Sequence, residues 1–152
     1  MQLIRTIEQD EATLVGYGIR VLFLSAQQGL EGNIPRRLAG LGGVIELHNE
    51  LFAALEAVID DPAGYGVFVI DCDSLGGLEV GRKAVAMMGE TLRRVPAILI
   101  SSECREQSFP QDRMAPTLLR APLSAVSMRV GFEHALRDRL SIRMIGNDYQ
   151  AA

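Results

Sequence analysis

Short apolar runs recur along the chain, separated by longer segments of helical period. The runs are Val21-Leu22-Phe23-Leu24, Val44-Ile45-Glu46-Leu47, Val67-Phe68-Val69-Ile70, Ala97-Ile98-Leu99-Ile100 and the shorter Leu118-Leu119. Continuous apolar character, rather than alternation, is what a strand needs when both of its faces are covered, as in a parallel sheet. Between the runs, Ile34, Leu38 and Leu41 fall on one helical stripe, with Asn33 and Pro35 as start signals and Gly42-Gly43 as the stop. Leu51, Leu55, Val58 and Ile59 form a second stripe, opened by Asn49 and closed by Asp60-Asp61-Pro62. Leu78, Gly81, Val85 and Met88 form a third. Ala125, Met128, Phe132, Leu136 and Leu140 form the last, with Ser124 as its N-cap. A strand–helix unit repeated five times predicts a doubly wound α/β domain with a five-stranded parallel sheet over residues 19–140. Residues 1–18 form an N-terminal extension, in which Glu8 to Val15 fits either a short helix or an arm, and residues 141–152 form a C-terminal tail. Residues 102–116 carry Pro110 and Pro116 and no apolar stripe, so the fourth helix is expected to be short or irregular.

With 152 residues, 48% of them hydrophobic and 22% charged, the chain can bury one core. Its net charge of −4 argues against holding nucleic acid through phosphate contacts. Of the basic residues only Lys83 is a lysine, so a Gly-Lys-Ser/Thr phosphate loop is excluded. Two cysteines and two histidines, scattered, make no structural zinc site and no disulfide framework. No run approaches the ~18 apolar residues that would cross a bilayer, and acids stand where a signal peptide would carry its apolar stretch. The expectation is a soluble cytoplasmic protein without membrane or nucleic-acid partners.

In open parallel sheets, ligands bind beyond the carboxyl ends of the strands. The residues that matter therefore follow the runs: Ser25, His48, Asp71 and Asp73, Ser101 and Ser102, Arg120 and Ala121. Asp71 stands out, because a carboxylate ending Val67-Phe68-Val69-Ile70 packs poorly in a core yet suits a strand-end site; a solvated acid capping the next loop explains it equally well. Cys72 reads as a small buried residue, His134 as a solvated surface histidine, and Met87-Met88 as core. Ser25-Ala26-Gln27-Gln28-Gly29 offers a hydroxyl and a glycine for a flavodoxin-type phosphate pocket, but the absence of Trp and the few aromatics leave no flavin-stacking residue.

The residues from about Ile19 to Arg137 resemble the receiver domain of bacterial two-component response regulators. The resemblance is carried by a third strand ending in Asp71, by the fourth strand Val95-Pro96-Ala97-Ile98-Leu99-Ile100-Ser101-Ser102, by Leu118-Leu119-Arg120-Ala121-Pro122, and by the Ala/Leu-rich segment Asn49 to Asp61. It implies the flavodoxin-like strand order 2-1-3-4-5 and a role in phosphorelay signalling. In that family an Asp ending strand three accepts a phosphoryl group, and two acids after strand one help hold Mg²⁺. A Ser/Thr after strand four and a Lys after strand five bind the phosphate. Asp71 matches the phospho-acceptor and Ser101 the Ser/Thr. The acid pair, however, falls on Ser25 and Ala26, the Lys on Ala121, and the loop after Asp71 is about two residues short and lacks the usual Pro.

Mg²⁺ would then rest on Asp71, Asp73, a carbonyl and water, and be held weakly. Losing a charged phosphate ligand, worth ~1.5–3 kcal/mol, removes about one to two decades of affinity more. Arg120 neighbours the lysine position but belongs to the opposite side of a strand. Ser25, Asp73, Ser101 and Arg120 are nonetheless the candidate phosphate-pocket residues around Asp71. The resulting expectation is a degenerate, non-enzymatic receiver without a resident cofactor. It acts through a protein partner (a histidine kinase, a phosphotransfer protein or an output protein) or as a homodimer, because the chain has no residues left for an output domain. The first helix, the last helix with Phe132 exposed, or Glu103 to Pro122 would supply the surface. The alternative is a single-domain response regulator phosphorylated on Asp71.

Overall fold

The computed structural model describes residues 18–27 and 29–138; the extension and tail expected at 1–18 and 141–152 lie outside them, Gly18 excepted. Five strands, β1 (Arg20–Leu24), β2 (Val44–His48), β3 (Val67–Asp71), β4 (Ala97–Ser101) and β5 (Thr117–Arg120), form one parallel sheet in the order β2-β1-β3-β4-β5. All five apolar runs became strands. Strands β1, β3 and β4 lie inside the sheet and are almost wholly buried, which is why their runs do not alternate.

Helices α1 (Asn33–Gly40) and α5 (Ala125–Ala135) cover one face of the sheet, and α2 (Leu51–Asp60) and α4 (Leu78–Met88) the other; α3 (Cys72–Leu75) is a single turn directly after β3. On the first face Val21, Phe23, Val67, Val69, Ile98 and Ile100 pack with Leu38, Met128 and Phe132. On the second, Leu22, Leu24, Phe68, Ile70 and Leu99 pack with Leu55, Val58, Ala84 and Met88. The period-two alternation of side chains thus divides each buried strand between two cores. Among the described residues no helix is long and apolar enough to cross a membrane.

Several local expectations are corrected. Ser124 caps α5, its hydroxyl accepting from the Ser127 N–H at 3.0 Å. Asn33 and Asn49, in contrast, are not caps. Gly32 precedes α1, while the Asn33 amide donates to the Leu123 carbonyl at 2.9 Å and ties α1 to the loop before α5. Glu50 caps α2 through the Phe52 and Ala53 N–H groups, both at 2.8 Å. The Asn49 amide spans instead to the carbonyls of Ser25 and Gln27, at 2.9 and 3.1 Å. In both cases the polar side chain is drawn away from the helix end to bond loop carbonyls, that of Leu123 shared with Arg37 Nε at 3.1 Å.

The segment 102–116 holds no helix. It runs back along β5, where Ser108 and Leu118 exchange two backbone hydrogen bonds of 2.9 Å. His134, expected in solvent, anchors this segment: its Nε2 donates to the Pro110 carbonyl at 2.6 Å, and its ring meets Phe109 edge-on at 5.8 Å. Met88 is core as expected, but Met87 is half exposed. Phe132, a member of the apolar stripe, is fully buried, so the exposure on which a surface role for it depended is not met; the outward apolar residues of α5 are Val126 and Val130. Truncating Phe132 therefore attacks the core. Phe132→Ala should cost about 3–5 kcal/mol in denaturant unfolding, with the m-value unchanged. A variant of wild-type midpoint would contradict this packing.

Candidate functional site

The sheet register brings four strand ends to one rim. Leu24 pairs with Ile70, Asp71 with Ile100 and Ser101 with Arg120, so Ser25, Asp71, Ser101 and Ala121 all leave the sheet at its carboxyl edge. Asp71 continues the side of β3 that carries Val67 and Val69, and emerges half-buried between α1 and the β5–α5 loop. There it borders a cleft of about 280 Å³. Ser25, Gln27, Asn33, Asp71 and Asp73 supply its polar lining; Phe23, Ile34, Ile100 and the cis-linked Ala121–Pro122 are among its apolar walls.

Hydroxyls occupy the carboxylates. Ser25, buried, donates to Asp71 Oδ2 at 2.9 Å. Ser74 donates to the Asp71 carbonyl at 2.8 Å and accepts from the Ala26 N–H at 3.0 Å, so the single turn α3 is stitched to the loop after β1. Ser101 is fully buried and does not line the cleft. Its hydroxyl donates to Asp73 Oδ1 at 2.7 Å, and the Ser102 N–H reaches Asp73 Oδ2 at 2.9 Å. Burial works to raise the Asp73 carboxyl, but the hydrogen bonds from Ser101 and Ser102 outweigh it and hold the group below the ordinary aspartate range. Cys72 lies beneath this cluster, buried, with its thiol pushed up to about 12 by burial, and is no reactive nucleophile.

Of the sequence-derived candidates, Asp71, Ser25 and Asp73 line one cleft, whereas Ser101 approaches it only through Asp73. Arg120 does not belong to it. The alternation of β5 places Leu119 in the core beneath α5 and leaves Arg120 exposed, where it lines a separate cleft with Arg105 and Ser127. Its assignment to the phosphate pocket is corrected accordingly. His48 bonds Glu46 at 3.0 Å on the edge strand and takes no part. Ser74 and Asn49 were missed as site residues; the Asp-Cys-Asp-Ser run after β3 is a legible turn signal, but which loop it would bond was not.

Among the described residues no lysine or arginine lines the Asp71 cleft, and the charged groups on it are two carboxylates. Among the described residues no three His, Cys, Asp or Glu side chains gather where a metal ion could be held. Comparison with protein-family models and with curated protein sequences finds no match. Solved structures do match. The response regulator PhyR from Brucella abortus superposes with a TM-score of 0.60 at 13% identity, over 97% of this chain and 60% of that one. The receiver domain of the histidine kinase CKI1 from Arabidopsis thaliana, complexed with Mg²⁺ and BeF₃⁻, superposes with a TM-score of 0.55 at 15% identity, over 80% of this chain and 95% of that one. The chain has the CheY-like receiver fold.

A receiver fold implies a Mg²⁺ ion beside the strand-three aspartate, and the donor set does not fit it. Ser25 and Ala26 stand where the first-strand acids would be, and Ser25 turns its hydrogen, not a lone pair, toward Asp71. Asp73 already accepts from the Ser101 hydroxyl and the Ser102 N–H. Among the described residues, a hard cation that sheds water reluctantly would find only Asp71 and Asp73 here, each already accepting a hydroxyl.

The Asp73 hydrogen bonds also set a pH dependence. A carboxyl lowered in the folded state adds stability that is present above its unfolded value, near 3.8, and is lost as pH falls through the lower folded value. Ser101→Ala removes one of the lowering groups, so the loss of stability in that acid window should shrink. Urea midpoints measured at several pH values would show it; an unchanged acid limb would contradict the role given to Ser101.

Proposed function

We propose that this chain is a receiver-type signalling module of two-component systems that has lost efficient phosphoryl chemistry and acts by binding another protein. The observation that carries this reading is the charge of the Asp71 cleft: among the described residues, two carboxylates and no cation. An aspartyl phosphate carries about −1.5 to −2 charge at neutral pH in place of the carboxylate's single charge, and neighbouring like charges oppose it unless a cation offsets them. Ala121 stands at the position where receivers carry that cation, and its methyl group offers nothing to a phosphate. Ser101, at the position of the phosphate-sensing hydroxyl, is committed to Asp73. The partner class that fits is a histidine kinase, a phosphotransfer protein or an output protein; a second copy of this chain would serve the same role. A non-enzymatic, cytoplasmic bacterial module accords with this reading.

A second reading rests on Asp71 itself. Its Oδ2 accepts from Ser25 while the group remains at the mouth of a cleft open to small molecules, so an in-line phosphodonor could reach it. The CKI1 receiver is known with BeF₃⁻, a phosphoryl mimic, and Mg²⁺. The two readings separate by intact mass after incubation with Mg²⁺ and a small-molecule phosphodonor. The expected result is no adduct on a folded wild-type protein. An adduct on the wild type that disappears in Asp71→Asn would establish phosphorylation and overturn the first reading.

A further inference from the structure

The second cleft, on the other side of the Ala121–Pro122 segment, has the opposite character. It measures about 450 Å³ and is lined by Arg105, Gln107, Arg120, Ala121, Pro122 and Ser127. None of these is acidic, in a protein whose net charge is −4. Arg105 and Arg120 are both exposed, and among the described residues neither guanidinium has a carboxylate partner, whereas Arg20, Arg93, Arg113 and Arg129 each have one. Ser127, in the first turn of α5, adds a hydroxyl, and that turn carries no acidic residue to compete for an anion. We propose that this cleft is an oxyanion site that takes an acidic side chain of a protein partner.

Chemistry and position both favour that occupant. Two guanidiniums present planar donor forks that match a carboxylate or phosphate in bidentate fashion. Because both arginines are solvent-exposed, an isolated ion would gain little from them after screening. An anion borne on a polypeptide gains further contacts with its neighbours. Ala121 and Pro122 wall both clefts, so a segment crossing them meets two arginines on one side and Asp71 with Asp73 on the other. That paired pattern of opposite charge selects a partner's register in a way a single sign cannot. The proposal rests on the reading that the chain works through a protein partner, but does not depend on whether Asp71 takes phosphate.

Amide chemical shifts of the isotope-labelled protein test it directly, with hexaglutamate, hexaglutamine and inorganic phosphate as separate probes. Hexaglutamate should give saturable shifts at Arg105, Gln107, Arg120 and Ser127, weakened about tenfold or more in the Arg105→Gln/Arg120→Gln variant and at high salt. Hexaglutamine should shift none of them. Absence of saturable shifts, equal affinity in the double variant, or inorganic phosphate alone matching hexaglutamate would each overturn the proposal. The spectrum of the double variant reports its own folding. Failure here leaves the mass of the phosphodonor-treated protein unchanged, so the two readings fail separately.

Discussion

Strand β3 lies between β1 and β4, buried on both faces over Val67 to Ile70, and every feature of the site follows from where that burial stops. Parallel neighbours on both sides fix the register, and alternation fixes which side each residue faces. Asp71 is the first residue free of the core, so its carboxylate must sit at the carboxyl rim, on the side of α1 and α5. The residues around it arrive by the same geometry from β1, β4 and β5. Had β5 slipped by one residue, Arg120 would face Asp71 and Ala121 the solvent. In this register the arginine is lost to the Asp71 cleft and available to another one.

What distinguishes the cleft is the replacement of charge by hydroxyl groups. A carboxylate in place of Ser25 would face Asp71 as a like charge, tolerable only with a bound cation. The serine instead donates a hydrogen bond, and the pair is satisfied without metal. The same substitution of function occurs at Ser101, whose hydroxyl satisfies Asp73. Two like charges about 4 Å apart oppose each other by about 4 kcal/mol at an effective dielectric of 20, so even one uncompensated pair would offset much of a phosphoryl group's binding. The rim is one of settled hydrogen bonds around Asp71 and Asp73.

The layered α/β fold was legible because burial on both faces leaves a compositional trace: Val21–Leu24, Val67–Ile70 and Ala97–Ile100 read as covered strands and are interior ones, whereas Val44–Leu47, read the same way, is a partly exposed edge strand. The position of Asp71 was legible for the same reason, as was the side of β5 taken by Arg120. Residues whose role depends on a distant carbonyl were not. Asn33 and Asn49 carry the composition of helix caps, yet each bonds a loop brought near only by folding. His134 looked solvated because the segment that covers it, around Phe109 and Pro110, has no periodicity to announce where it packs. Phe132 belongs to a helical stripe, and a stripe alone gives its direction only relative to its own helix. The pairing of Ser101 with Asp73 was hidden because it joins the ends of two strands through the single turn after β3.

On the function proposed, charge, not shape, keeps Asp71 from phosphoryl chemistry. Restoring the charge tests it: in Ser25→Asp/Ala26→Asp/Ala121→Lys, the cleft regains two acids for Mg²⁺ and a cation for phosphate on an unchanged scaffold. After incubation with Mg²⁺ and a small-molecule phosphodonor, this variant should gain a phosphoryl adduct by intact mass that is lost when Asp71→Asn is added. A folded triple variant that binds Mg²⁺ yet takes no phosphoryl group would contradict the account.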